Sequence, residues 1–361
     1  MTEYTISRLV IPDSLEDADA ADFIASCGLV NRVAESILGS RDFALEPAER
    51  LPFAKQPDWN HAYFVAKVDG EVVGWTVYDG QKNTEARECW IELYVDEAQR
   101  RKGIGSALLD RISETARAEG KSEIFARVFT RNDLPGPRMD AGSGFGSVAA
   151  DDTGPSFSRA REFMLEQVGQ INRLALPVER AVFDERVAVA RAGYGDEYEL
   201  LHWSGRTPEA LLAGMAALST AMSTADPHGD LDVTEDVWDA DRLRESEERE
   251  SASPRKRLTV AARHVASGEL VAFTTLDVPP QVDRPVNQWA TLVLDGHRGK
   301  RLGLAIKLEN LRRLMDDFPG HPSVTTINAE ENEYMIAVNR SVGFATVGRG
   351  GIFRRILPTE D

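Results

Sequence analysis

The strings GEVVGWTVYD (70–79) and GELVAFTTLD (268–277) align without a gap, each residue of the second numbered 198 above its counterpart. Gly70, Glu71, Val73, Thr76 and Asp79 recur as Gly268, Glu269, Val271, Thr274 and Asp277. The same offset lays VDEAQRRKGIGSALL (95–109) over VLDGHRGKRLGLAIK (293–307), matching Val95 to Val293, Arg100 to Arg298, Lys102 to Lys300, Gly105 to Gly303 and Ala107 to Ala305. One offset held across two unlike motifs marks a tandem duplication, so the chain must fold as two versions of one unit. Its 361 residues leave each copy long enough to bury its own core.

Each copy reads the same way. Apolar runs on either side of a Gly-centred turn predict a hairpin (FVAKVDGEVVGWTVY; TVAARHVASGELVAFTTL). A strand follows (WIELYV; WATLV), then a polar glycine-containing loop, an amphipathic helix and a further strand (EIFARVF; SVTTIN). The expected fold class is therefore α/β, a mixed sheet with helices in each copy. Pro177 closes the strand INRLAL, which sets the expected division at 1–177, a connecting helix over 178–195, and 196–361. GSGFG (142–146) does not join a strand to a helix and reads as a flexible loop, not a dinucleotide fingerprint. The acidic stretch 230–250 reads as a solvated helix, or as the rim of a pocket for a cation, with His228 beside it.

The formal charge of -17 argues against a nucleic-acid partner, since phosphate binding needs a basic face; it suits attraction of cationic ligands. No apolar run approaches the roughly 20 residues that span a bilayer. The opening MTEYTISRLVIPDSLEDADA lacks the basic and apolar parts of a signal peptide, so a cytoplasmic protein with no membrane partner is expected. Cys27 and Cys89 have no metal or redox spacing and are expected to be reduced and structural; the histidines show none either, so no metal is expected.

Chemistry concentrates in the loop before each helix. A helix N-terminus leaves N–H groups unpaired and carries partial positive charge, and glycines let an anion approach them. Copy one offers Arg100, Arg101, Lys102, Gly103, Ile104, Gly105 and Ser106; copy two offers Arg298, Gly299, Lys300, Arg301, Leu302 and Gly303. No G-x-x-x-x-G-K-[ST] string occurs, which sets aside a nucleotide-hydrolysing phosphate loop.

R-x-x-G-x-G, entered from a strand ending in Val and opening a helix, resembles the pyrophosphate loop of the GNAT acyltransferase superfamily. The resemblance spans nearly the whole chain as two domains in tandem, an arrangement similar to that of mycothiol synthase. NEYMIAVNRSVGF (332–344) resembles the family's closing segment, an Asn, a helix, then Gly-Phe entering a strand. The resemblance implies acetyl-CoA as acyl donor, held by both loops with Val95, Val293, Asn332 and Asn339. Copy one departs from it in the closing segment SRAREFMLEQV, with Glu162-Phe163 in place of Gly-Phe; copy two departs at Arg301, in place of the first loop glycine. If residue 301 has helical φ, the arginine is tolerated and its side chain can reach a phosphate; copy two then reads as a modified site, with copy one the better cradle.

The resemblance further implies direct attack of an amine on the thioester, with a base for the ammonium and N–H donors from the strand before the loop for the oxyanion. Glu92 stands where the family base often sits, and shares a strand face with Tyr94, the second catalytic candidate; Ala290 occupies the equivalent place in copy two. The tyrosine that serves many relatives as acid, four residues before Gly-Phe, is Ser158 in copy one and Asn339 in copy two; Tyr78 and Tyr334 are substitutes, and His297 is expected to cap or lie on the surface. The reading is an N-acetyltransferase acting on the primary amine of a small, cationic acceptor, as a monomer or homodimer. Two alternatives stand beside it: a non-catalytic acyl-CoA-binding sensor or scaffold, and a lysine or N-terminal acetyltransferase.

Overall fold

The computed structural model describes residues 3–57, 59–82, 86–131, 134–225 and 235–358; His228 lies outside them. Contacts gather into two units, Met1–Gly169 with Gly348–Asp361, and Gln170–Val347. The first unit thus takes its last strand from the far end of the chain.

Unit 1 runs β1 (Thr5–Arg8), α1 (Ala21–Leu38), α2 (Pro47–Ala54), β2 (Trp59–Val68), β3 (Glu71–Gln81), β4 (Glu88–Val95), α3 (Ile104–Ala118), β5 (Glu123–Thr130), the short strands β6 (Arg138–Asp140) and β7 (Ser147–Ala149), α4 (Thr153–Ala160), and the first part of β8 (Met164–Ala175). The β2–β3 hairpin turns at Asp69 and Gly70, with φ of 50° and 84°, the double left-handed pair that matches the twist of adjoining strands. GSGFG lies in the loop that links β6 and β7.

Alternation along the strands divides the core. Trp75 and Val77 face Phe23, Leu29, Val30 and Val33 of α1, while Cys89, Ile91 and Ile124 meet Leu109, Ile112 and Ala116 of α3 on the other side. Each fully buried Leu or Ile contributes about 1.5–3 kcal/mol. Cys27 and Cys89 are free and buried, and burial pushes their thiols up to about 11 and about 12.

Unit 2 contains the rest of β8, then α5 (Arg180–Tyr194), β9 (Tyr198–Ser204), α6 (Leu212–Met222), α7 (Ala240–Glu250), β10 (Lys256–His264), β11 (Leu270–Val278), β12 (Val286–Val293), α8 (Leu302–Asp317), β13 (Ser323–Ala329), α9 (Glu333–Val342) and the start of β14 (Ala345–Ile356). The acidic α7 buries none of its residues. The helix expected only to connect the copies is α5, and it is part of unit 2: Phe183 and Ala190 enter the core with Leu304 and Leu308 of α8, and Arg186 donates to the Val342 carbonyl at 2.7 Å.

The remainder of β14 belongs to unit 1. Arg349–Ile356 lie antiparallel to Thr130–Glu123 along the whole of β5, and Phe353, fully buried, joins Ile124, Leu165 and Val168.

Candidate active site

In unit 1 the parallel strands β4 and β5 are in register only from Glu88/Glu123 to Ile91/Ala126. Beyond that point β4 stays with β3 as far as Val95, and β5 stays with β14 as far as Thr130. The two strands follow different neighbours and part. Their open ends form one side of a cavity of about 900 Å³, closed by the start of α3 and by Phe157 and Arg161 at and after α4. Outside the carboxyl ends of parallel strands is where such sheets receive ligands.

The backbone of β4 presents donors to this opening. Asp96 N–H donates to Val73 O at 2.8 Å, and in an antiparallel pair the bonding direction alternates. The N–H groups of Leu93 and Val95 therefore point to the edge that β5 has left.

At the cavity's other end Arg101 (φ 63°) and Gly103 (φ 89°) take left-handed conformations that swing the chain into α3. Arg100 steadies the loop by donating Nε–H to Val95 O at 3.2 Å. Among the described residues no side chain caps α3, so its first N–H groups and its partial positive charge stay available to an anion. Arg100, Arg101, Gly103, Gly105, Ser106, Tyr94 and Val95 line the cavity. Lys102 is turned to Gln99 Oε1 at 2.8 Å, and Ile104 is buried among Ala66, Val73 and Leu108. A Cβ on Gly105 would meet the Phe157 ring at 3.4 Å, so close approach of α4 is one reason for glycine there. Replacing Gly103 by Ala puts a side chain at φ 89° and is expected to lower stability by about 1–2 kcal/mol, read from the shift of the urea midpoint.

Arg161 is a cation that the repeat conceals. Its guanidinium donates to the Ser106 hydroxyl and stands 5.8 Å from the Phe157 ring, so it flanks the α3 terminus; its counterpart in the second copy is Val342. The closing segment expected to be distorted keeps the family turn. Glu162 adopts φ 64° where Gly343 has 109°, and Phe163 N–H bonds Ser158 O at 3.0 Å as Phe344 N–H bonds Asn339 O at 3.0 Å.

Glu92 and Tyr94 share the face of β4 turned to α1. Glu92 is half-buried, at the first position past the last β4–β5 pair, and its carbonyl accepts from the Thr76 hydroxyl at 2.7 Å. Burial raises the Tyr94 phenol well above its usual range, with the Glu92 charge acting the same way; Tyr94 keeps its proton at neutral pH. Strand register places His61 opposite Asp79 on the same face, Nδ1 lying 2.6 Å from Asp79 Oδ1 and Nε2 buried without a partner. Tyr78, a suggested acid, is fully buried, its hydroxyl has no partner among the described residues, and it is not among the residues lining the cavity.

Unit 2 repeats the frame and fills it differently. β12 and β13 are in register only at Val286–Asn287 with Val324–Thr325, and the loop keeps both left-handed positions, with glycine at the other one: Gly299 (φ 81°) and Arg301 (φ 56°). The expectation of a helical φ at 301 is therefore wrong. So is the expected direction of its side chain, which bonds Val189 O at 3.0 Å and lies against Gly193, where a Cβ would come within 2.9–3.0 Å of it. The helix α5 holds this arginine away from any anion at the loop. Lys300 pairs with Glu197. Arg298 donates to Val293 O at 3.2 Å, pairs with Asp295 at 2.8 Å, and lies 5.9 Å from the Tyr334 ring centre. Leu302 is buried, and the space a Cβ on Gly303 would enter is bounded by Tyr334 and Val338 at 3.6 Å. Asn332 caps α9 through Met335 N–H at 3.0 Å, and Asn339 donates to Asn328 at 2.6 Å. Near Ala290 a register shift breaks the β11–β12 ladder, and Gln288 bonds Thr274 at 2.7 Å. His297 contacts the Tyr198 hydroxyl at 2.9 Å.

These features define a class. Residues 34–134, within unit 1, match the acetyltransferase (GNAT) family, whose domains transfer acyl groups from acyl-CoA. Across its whole length the chain has the fold of two such domains in tandem. It is similar to a tandem GNAT protein from the clavulanic acid biosynthesis pathway, at 23% identity and a TM-score of 0.75, covering 99% of this chain and 100% of that one. A GCN5-related N-acetyltransferase from Sphaerobacter thermophilus is similar at 14% identity and a TM-score of 0.62, covering 99% and 97%. No curated protein sequence matches it. The cavity of unit 1 fits an acyl-CoA by its uncapped helix terminus, its flanking Arg101 and Arg161, and its apolar walls.

Proposed function

We propose that unit 1 is an N-acetyltransferase that moves the acetyl group of acetyl-CoA to the primary amine of a small acceptor, and that unit 2 does no chemistry. The observation that carries this reading is the meeting, in one cavity, of the uncapped α3 terminus with the open edge of β4, next to Glu92. Bound acetyl-CoA supplies a thioester carbonyl for the amine to attack. The amine, near 10.4 for a lysine-like group, arrives protonated; the Glu92 carboxylate takes that proton. Leu93 and Val95 N–H groups are placed to bond the carbonyl oxygen. As the C–N bond forms and the C–S bond breaks, CoA leaves as a thiolate, tolerable for a thiol of pKa near 8.5, and takes up the second proton that the nitrogen sheds on becoming an amide. Tyr94, whose phenol keeps its own proton, lines the cavity beside the reacting atoms. In unit 2 the loop cations are held by α5, Glu197 and Asp295, which supports a scaffolding role. No described helix is long and apolar enough to cross a membrane, and we place the reaction in the cytoplasm.

Native mass spectrometry with acetyl-CoA tests the choice of unit. Wild-type protein should bind one CoA and Gly105→Glu none, because the new carboxylate lies at the α3 terminus. A CoA retained by the variant would put the site in unit 2 and sink this reading.

A further inference from the structure

The charges around Glu92 are unusually free of partners. Ala126 is the last β5 residue in register with β4, opposite Ile91, so Arg127 stands level with Glu92 on the same face, across the point where the strands part. Arg127 is exposed and lines the cavity. Arg50 approaches the same strand face from α2, outside the residues that line the cavity: its guanidinium lies 5.6 Å from the Trp75 ring centre, and that ring packs on Tyr94 at 6.1 Å. Its Nε is buried with no hydrogen-bond partner among the described residues. Arg50, Arg127 and Glu92 all act electrostatically on the Tyr94 phenol, yet none of the three side chains forms an ion pair among the described residues. In a chain with a formal charge of -17, carboxylates are abundant; Arg257 meets both Glu250 and Asp277. The buried Arg50 Nε carries a desolvation cost that an anionic partner would offset, and Arg127 lines the cavity as a solvated cation with no carboxylate on it among the described residues.

We propose that the acceptor is an amino-carboxylate: a small molecule whose attacking amine sits close to a carboxylate that Arg127 and Arg50 bind. The inference rests on unit 1 being the transferase, and it gives that site its acceptor class. Arg127, with its planar pair of N–H donors, takes the carboxylate in a two-point contact. Glu92 then faces the ammonium across the same opening. The opposite charges fix which end of the acceptor meets the acyl carbon, and an acceptor with a second ammonium in place of the carboxylate would be repelled by both arginines.

Isothermal titration on protein loaded with CoA tests this without relying on turnover. The ligands are matched pairs: lysine with cadaverine, leucine with isopentylamine, phenylalanine with phenethylamine. In at least one pair the amino acid should bind about tenfold or more tightly than its decarboxylated amine, and Arg127→Gln should abolish that preference. Arg50→Gln should weaken it, with Arg50→Lys restoring part; unchanged melting temperatures show that the variants are folded. Equal or tighter binding of every decarboxylated amine would overturn the proposal. So would a preference that survives both glutamine variants, or no amino-acid binding at all. Amines acetylated without a carboxylate preference would sink the inference and keep the transferase. Amino-acid binding with the carboxylate preference intact, but no thiol released when acetyl-CoA replaces CoA, would keep the two-arginine site and sink the transferase, and with it the ligand's role as acceptor.

Discussion

Glu92→Gln should lower kcat by about 10²- to 10⁴-fold, the range a positioned general base supplies, while the dissociation constant for CoA stays at its wild-type value. The substitution keeps the shape and removes the charge. Glutamine can still accept a hydrogen bond from an ammonium, but it cannot take the proton at neutral pH. CoA affinity should be spared because Glu92 shares the Tyr94 face of β4 and is not among the residues lining the cavity, whereas Arg100, Arg101 and the start of α3 are. Steady-state rates of thiol release beside titrations of CoA separate the two effects. A residual rate that climbs with pH would show the amine losing its proton to solvent instead. Full activity in the variant would remove Glu92 from the chemistry.

Deleting Gly348–Asp361 should abolish CoA binding. The deletion removes the strand registered along all of β5, the buried Phe353 and Leu357, and the Arg354–Glu166 pair at 2.8 Å. Loss of a buried phenylalanine alone costs about 3–5 kcal/mol, and a typical domain has only about 5–15 kcal/mol in all. It is β14 that holds β5 away from β4 past Ala126, so without it the splay loses one of its two anchors. Hydrogen exchange read by mass spectrometry should show β2 to β5 unprotected and β10 to β12 still protected. A synthetic peptide of residues 345–361 should recover part of the binding. Wild-type CoA affinity in the truncated protein would refute this account of the cleft.

The parts of this architecture that were readable in the sequence are those set by short-range pattern. Alternation fixed both hairpins, and the repeat placed the two loops against each other. Arg301 was misread because its φ is set by the shared loop, left-handed at Gly103 too, and its side chain is held by α5, a helix distant in sequence that a linear reading took for a connector. Glu162 hides a glycine-like conformation behind a residue type that seldom adopts it. Arg50, Arg127 and Arg161 lie on separate elements and gather only in three dimensions, although Arg127 was visible as a lone basic residue in the apolar run EIFARVF. The exchange of β14 left no local trace: Thr130 bonds the carbonyl of Arg349 across 219 positions, and no periodicity reports a partner so far away.

That distance also orders events at the ribosome. Protein synthesis proceeds from the N-terminus, and domains usually fold as they emerge. Here the unit that is begun first is finished last, since β5 lacks its neighbour until Gly348–Ile356 leave the exit tunnel. Until then β5 offers an open edge on a nascent chain, the kind of surface that pairs with other strands. The first unit therefore waits longest for its last strand while it is being made, and its cavity takes shape only once residues 348–356 have been translated.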